Sequence, residues 1–267
     1  MDTSSRLTEE IQLNKVLVLS LAGLMVLMAA FVSGCLDSSE DDEEGEGKLL
    51  EKGNTWTYKT TDKGFGNGEM KITVVTESET FEGNDVVEVE IEYSYGAFHD
   101  EDLGMYYDAW DGSSVSYFRK TDFESVYSEN EWELKGRENP DNDWSTSKWE
   151  GVNTISTTGT IPATLEAGTN YTLVETSNDQ FKIYSNGSLV MDENSNDTVT
   201  KEYRVLGEKE VTVPAGTFTC FEIRVDNVDY DSYTLKYFCP ELNIDVKIIE
   251  YYDDEVSVTS ELESYSM

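Results

Sequence analysis

The chain has 267 residues, 55 Asp and Glu against 19 Lys and Arg, a net charge near −36 and a pI of about 4.1. That balance excludes sequence-independent nucleic-acid binding and electrostatic docking on anionic lipid, both of which need basic patches. One histidine and three cysteines exclude the usual multi-His and multi-Cys metal sites, so no metal and no cofactor is expected. At 38% hydrophobic and 12% aromatic, the chain is nevertheless rich enough to build a core.

Residues 1–34 come first. No charged residue occurs from Val16 to Leu36, and the apolar run ends Phe31-Val32-Ser33-Gly34-Cys35. This resembles a lipobox: an aliphatic residue, two small residues, then the cysteine that takes the lipid. Cys35 is therefore the expected lipid-attachment residue. The run is longer than a typical secretory core and could span a bilayer as a helix. An uncleaved anchor helix is the competing reading. Arg6 and Lys15 favour a cytoplasmic N-terminus in either case. Both readings tether the remainder to the membrane and place it outside the cytoplasm. Residues 35–47 follow, with Asp37, Glu40, Asp41, Asp42, Glu43, Glu44 and Glu46 and no base. They read as a disordered, self-repelling spacer.

Residues 48–267 read as one extracytoplasmic β-domain. Val87, Val89, Ile91, Tyr93 and Tyr95 alternate with Glu88, Glu90, Glu92 and Ser94. A period of two with one polar face predicts an antiparallel sheet with one wet side. Strands are also predicted over 71–76, 199–206, 217–225, 233–238, 244–252 and 256–262. Leu50-Glu51-Lys52-Gly53-Asn54-Thr55-Trp56-Thr57 matches Leu165-Glu166-Ala167-Gly168-Thr169-Asn170-Tyr171-Thr172. The match suggests half-units 48–160 and 161–267, with an insertion around 178–197 in the second. Chance similarity between hairpins is the alternative.

Cys220 and Cys239 remain once Cys35 is assigned to lipid. A hairpin turning between Asp229 and Tyr230 would place them opposite each other, and a disulfide is expected there. The same register pairs Ile223 with Lys236 on one face, which counts against it unless a bulge intervenes. Two unpaired buried thiols are the alternative. His99 has no Gly-x-Ser-x-Gly partner motif and reads as a solvated loop residue. Asp192, Asn194 and Asn196, and likewise Asn139, Asp141 and Asp143, approach a calcium-loop pattern. Asp197 and Trp144 stand where that loop needs glycine, so both segments read as polar loops. Trp110, Trp132, Trp144 and Trp149 read as core and edge residues of a large sheet before a sugar platform.

Several motifs resemble a group of secreted or lipid-tethered prokaryotic β-domains called TapB-like. They are Leu50, Gly53, Asn54, Trp56 and Tyr58; Val213-Pro214-Ala215-Gly216-Thr217-Phe218 with Cys220; Tyr237 and Pro240 before Val246-Lys247; and Glu261, Leu262 and Tyr265. The segment 96–160 has no counterpart in that pattern. The resemblance implies a large antiparallel sheet curled into a partly open barrel, and it hints at an apolar ligand. The expected function is a non-enzymatic binding β-domain for such a ligand or for an envelope protein. A ligand-free structural surface module and an envelope glycan hydrolase are the alternatives.

Overall fold

The computed structural model describes residues 51–76, 79–100, 105–120, 125–137, 143–162 and 164–267. The expected anchor, Cys35, the spacer, Asn139 and Asp141 lie outside the described residues. Among the described residues the fold is all-β. The strands are β1 (Thr55–Asp62), β2 (Gly66–Val74), β3 (Glu79–Phe81), β4 (Asn84–Tyr95), β5 (Phe98–Asp100), β6 (Met105–Tyr107), β7 (Trp110–Arg119) and β8 (Ser125–Arg137). They continue as β9 (Ser145–Gly159), β10 (Asn170–Ser185), β11 (Ser188–Val213), β12 (Gly216–Asn227), β13 (Ser232–Cys239), β14 (Ile244–Tyr252) and β15 (Glu255–Ser266).

All pairings are antiparallel. From β7 to β15 each strand pairs with the next. β15 pairs β1, β1 pairs β2, and β2 pairs β4. β4 then pairs β7, which closes the sheet into a ring of twelve strands. β3 extends β2's side of β4, and the β5–β6 hairpin is attached to the end of β8. The partly open barrel expected from the sequence is thus corrected to a closed one. The closing strand β7 and its neighbours β8 and β9 come from the segment 96–160, where the family pattern was silent.

Tyr58, Val89, Ile91, Leu262, Val246 and Ile248 all point inward and are buried, as the two-residue period of their strands requires. Outward positions carry Glu69, Lys71, Glu88, Glu90, Glu92, Glu131 and Glu133. An outer wall so charged is not the apolar band of a membrane barrel. Closure removes the sheet edges that would otherwise template association. Two glycines make room for aromatic rings within the wall. A Cβ on Gly68 would lie 2.6 Å from the Tyr95 ring, and one on Gly112 would lie 2.9 Å from the Trp132 Cβ.

The sequence repeat appears as two equivalent turns. Asn54 N–H donates to Glu51 O at 3.1 Å, and Thr169 N–H to Glu166 O at 3.0 Å. Gly53 N–H donates to Val74 O at 2.9 Å, and Gly168 N–H to Val205 O at 2.8 Å. Gly53 and Gly168 sit at φ of 94° and 91°, which only glycine adopts without strain. Each turn opens a hairpin, β1–β2 or β10–β11. The 178–197 segment is not a loop: it is the outer part of the second hairpin, paired from Asn178 and Asn196 outward. Asp192, Asn194 and Asn196 accordingly lie in strand β11, and the polar loop expected there is corrected to a ladder.

Candidate functional site

The strongest candidate site is the barrel interior. Eight strands is about the size that side chains just fill, and twelve strands tilted by about 40° enclose a circle about 12 Å in radius. Side chains fill this space: Tyr58, Tyr95, Trp110, Trp149, Lys201 and Ile248 are all buried. The end at which the chain enters β1 is packed dry. Trp56, Val74, Val213, Phe218, Leu242 and Leu262 meet there in one apolar cluster. Hairpin turns β1–β2, β10–β11, β12–β13 and β14–β15 form the other end, whose rim exposes Leu189, Val190, Val228, Tyr230, Tyr252 and Val256.

One wall of the interior is aromatic. Tyr95 stacks on Trp110 at 4.8 Å, and Phe65 folds in from the β1–β2 turn against both rings. Trp132 and Trp149 face each other across β8 and β9. The indole N–H groups of Trp56, Trp110, Trp132 and Trp149 are all buried without an acceptor. The aromatic residues singled out by sequence are thus mainly core, as expected. Trp144 is the exception: it is exposed, with the Arg137 guanidinium 4.2 Å above its ring.

The opposite wall carries charge. Lys201 on β11 pairs with Glu175 on β10 at 2.5 Å, with side chains only 6% and 17% exposed. Lys236 on β13 pairs with Asp245 on β14 at 3.3 Å, and both are buried. Burial pushes the Lys236 ammonium down and the Asp245 carboxyl up, while each partner opposes that drift. Asp62 ends β1, where its carboxylate accepts the N–H groups of Gly64 and Phe65 at 2.6 and 2.9 Å. Burial still raises its pKa. Ser114, Ser116, Ser128 and Asn130 add buried polar groups to the aromatic wall, on β7 and β8.

Glu250 stands apart. It shares the inward face of β14 with Ile248 and faces Val258 across the ladder. Its carboxyl is largely enclosed by protein, makes no hydrogen bond or ion pair among the described residues, and keeps some accessible surface two residues from the rim residue Tyr252. Burial and then the Asp62 charge push its pKa up to about 8, while Lys201 and Lys236 pull it down. Tyr95 on the aromatic wall feels both Asp62 and Glu250.

Cys220 and Cys239 are near neighbours, as the expected register requires. Phe221 pairs Phe238 and Ile223 pairs Lys236, so the pairing that counted against that register is the one found. The expected disulfide is corrected: both cysteines are free, buried thiols. The β12–β13 ladder ends at Phe221 and Phe238, one step short of them, where β14 bulges at Val246 against β13. The Cys220 thiol donates to Phe218 O at 3.7 Å, and the Cys239 sulfur faces the Cys220 thiol and the N–H groups of Leu242 and Glu241. These bonds lower the Cys239 pKa to about 7 and raise that of Cys220.

His99 lies exposed on β5, stacked on Tyr106 at 4.1 Å, in a strand rather than the expected loop. Among the described residues no group of three or more His, Cys, Asp or Glu could hold a metal ion. A shallow outer groove of about 480 Å³ crosses β2, β4, β7 and β8 between Glu69, Lys71, Glu92, Asp111 and Glu131. It encloses no group and reads as solvated surface.

Sequence reasoning did not nominate Asp62, Lys201, Lys236, Asp245 or Glu250. One signal was present. Glu250 falls in the apolar phase of Ile244-Asp245-Val246-Lys247-Ile248-Ile249-Glu250, and Lys236 falls opposite Ile223.

No known family profile matches this chain, and no curated protein matches it. Two solved structures are similar to it. One, from Bacteroides fragilis NCTC 9343, is described as an exported protein with a YmcC-like fold. It shares 12% identity over 81% of this chain and 97% of its own, with a TM-score of 0.38. The other, from Parabacteroides distasonis ATCC 8503, is described as a lipoprotein. It shares 15% identity over 81% of this chain and 96% of its own, with a TM-score of 0.35. No residue role is carried over from either.

Proposed function

We propose that this chain is a membrane-tethered, extracytoplasmic binding protein whose closed barrel takes a small ligand into its interior without chemistry. The tether rests on the apolar run ending at Cys35. The observation that carries the binding reading is the interior itself. Its wall is a closed ring of twelve strands, and on the inward face of β14, near the rim that carries Tyr252, the Glu250 carboxyl makes no hydrogen bond or ion pair among the described residues. The non-enzymatic reading is supported by the placement of His99 on the exposed β5 hairpin, away from the interior. Native mass spectrometry of the full chain, released from its own membrane, tests this. A discrete small-molecule adduct is expected. A bare protein mass, unchanged across gentle and harsh extraction, contradicts binding and leaves the structural module.

A further inference from the structure

We propose that the outer stretch of β11 is an edge that takes an added strand from another protein, an extended segment carrying lysine or arginine. This edge lies outside the interior, and its use does not depend on the interior reading. Ring closure pairs β11 with β12 only from Lys201 onward. From Ser188 to Thr200 the strand has β10 on one side and, among the described residues, no strand on the other. Thr200 shows which groups face that open side. Its N–H donates to Asp229 Oδ2 at 2.7 Å, and its carbonyl accepts from Val228 N–H at 2.9 Å. The two-residue period turns the N–H and C=O of Asp192, Asn194, Asn196 and Thr198 the same way. Thr198 N–H is met by the Asp197 carboxylate at 2.9 Å, which leaves Asp192, Asn194 and Asn196 as an exposed ladder. No Pro or Lys blunts this stretch, and its one bulge lies at Val190, beyond the ladder.

Charge selects the occupant. Asp192, Glu193 and Asp197 lie along the stretch, no base does, and the adjoining β12–β13 turn adds Asp229 and Asp231. A second copy of this edge would bring like charges face to face. The chain's own residues 35–47 carry acids and no base, so they are repelled as well. A basic strand instead sets its cations against Glu193 and Asp197, which share one face of β11. Exposed Leu189, Val190 and Tyr230 flank the ladder and offer apolar contact.

The test is amide magnetic resonance of the full chain in detergent, titrated with two blocked peptides. One is Thr-Lys-Val-Lys-Val-Lys-Thr, whose lysines share one face of a strand, and the other has glutamate in place of lysine. Both are repeated on Asn194→Pro, which removes an N–H that faces away from β10, so the β10–β11 ladder and the melting temperature are expected to survive. The lysine peptide is expected to shift the Asp192, Asn194 and Asn196 amides and to bind at least tenfold more tightly than the glutamate peptide. Asn194→Pro is expected to weaken it at least tenfold. Glu193→Lys with Asp197→Lys, which leaves the backbone intact, is expected to reverse the preference between the peptides. Equal binding of the two peptides, or a preference that the lysine variant does not reverse, overturns the charge assignment. Binding without shifts at these amides, or unchanged by Asn194→Pro, overturns the edge. Dimerisation of the native chain in sedimentation, abolished by Asn194→Pro, overturns the proposal in favour of a second copy. Absence of binding by both peptides overturns it outright.

Discussion

The two walls of the barrel interior solve the same problem in opposite ways. Along β1, β4, β7, β8 and β9, burial is achieved with large aromatic rings, and four indole N–H groups go without acceptors. Along β10, β11, β13 and β14, burial includes charge, and each lysine there is matched to an acid. The aromatic wall tolerates lost hydrogen bonds because its rings bury so much apolar area. The charged wall tolerates desolvation only where its ions are paired, since an unpaired buried ion costs several kcal/mol. Glu250 departs from that second rule, and so it carries the functional argument.

The contrast can be broken by mutation. The largest effect is expected from Asp245→Leu, which strands the Lys236 ammonium in the charged wall. Denaturant unfolding should show a loss of about 3–5 kcal/mol. Adding Lys236→Met should restore most of it, because the pair as a whole contributes little beyond its mutual compensation. If the double variant is as unstable as the single one, the loss lies in packing and not in charge.

The next effect reverses sign. The unfolded chain releases the Glu250 proton near pH 4.5, while the folded chain keeps it up to about pH 8. The folded state therefore binds more protons in that window, and this group's contribution to stability falls as pH rises through it. Glu250→Gln should then stabilise the protein by about 2–4 kcal/mol at pH 9 and do little at pH 4. A melting temperature that drops at pH 9 would place Glu250 in an interaction not seen here. Asp62, Tyr95, Lys201 and Lys236 face the same space and set the Glu250 midpoint together.

Smaller changes belong to the aromatic wall. Trp132→Phe removes an unsatisfied indole donor along with some apolar area, so thermal unfolding should register a loss of only about 1 kcal/mol or less. The cysteines should give the smallest effect. Thiol titration of the unfolded chain should count Cys220 and Cys239 as free, and a reductant should leave the melting temperature unchanged.

The legibility of the sequence follows the same division. β4 alternates apolar residues with outward polar ones, and the bounds of β4 and β14 were foreseen within a few residues. β8 to β10 carry Ser, Thr, Asn and Glu on both faces, as at Thr154, Ser156 and Thr158, so no period of two marks them. Their ladders hold them where their side chains do not. The same polarity hid the closure of the ring, since β7 to β9 supply a quarter of it. It also hid the site: an acid that lines an interior reads in sequence like an acid on a wet face. Lys236 was the exception, because its pairing with Ile223 conflicted with a simple two-faced sheet. That conflict marked a buried charge. The acidity that first excluded nucleic acid is therefore mostly outer solvation, but a few of its members turn inward.

The most direct measurement is the titration of the Glu250 side-chain carboxyl by carbon-detected magnetic resonance. A midpoint near 8 is the predicted result. A midpoint in the ordinary carboxylate range near 4–5 would contradict the enclosed, unpaired carboxyl.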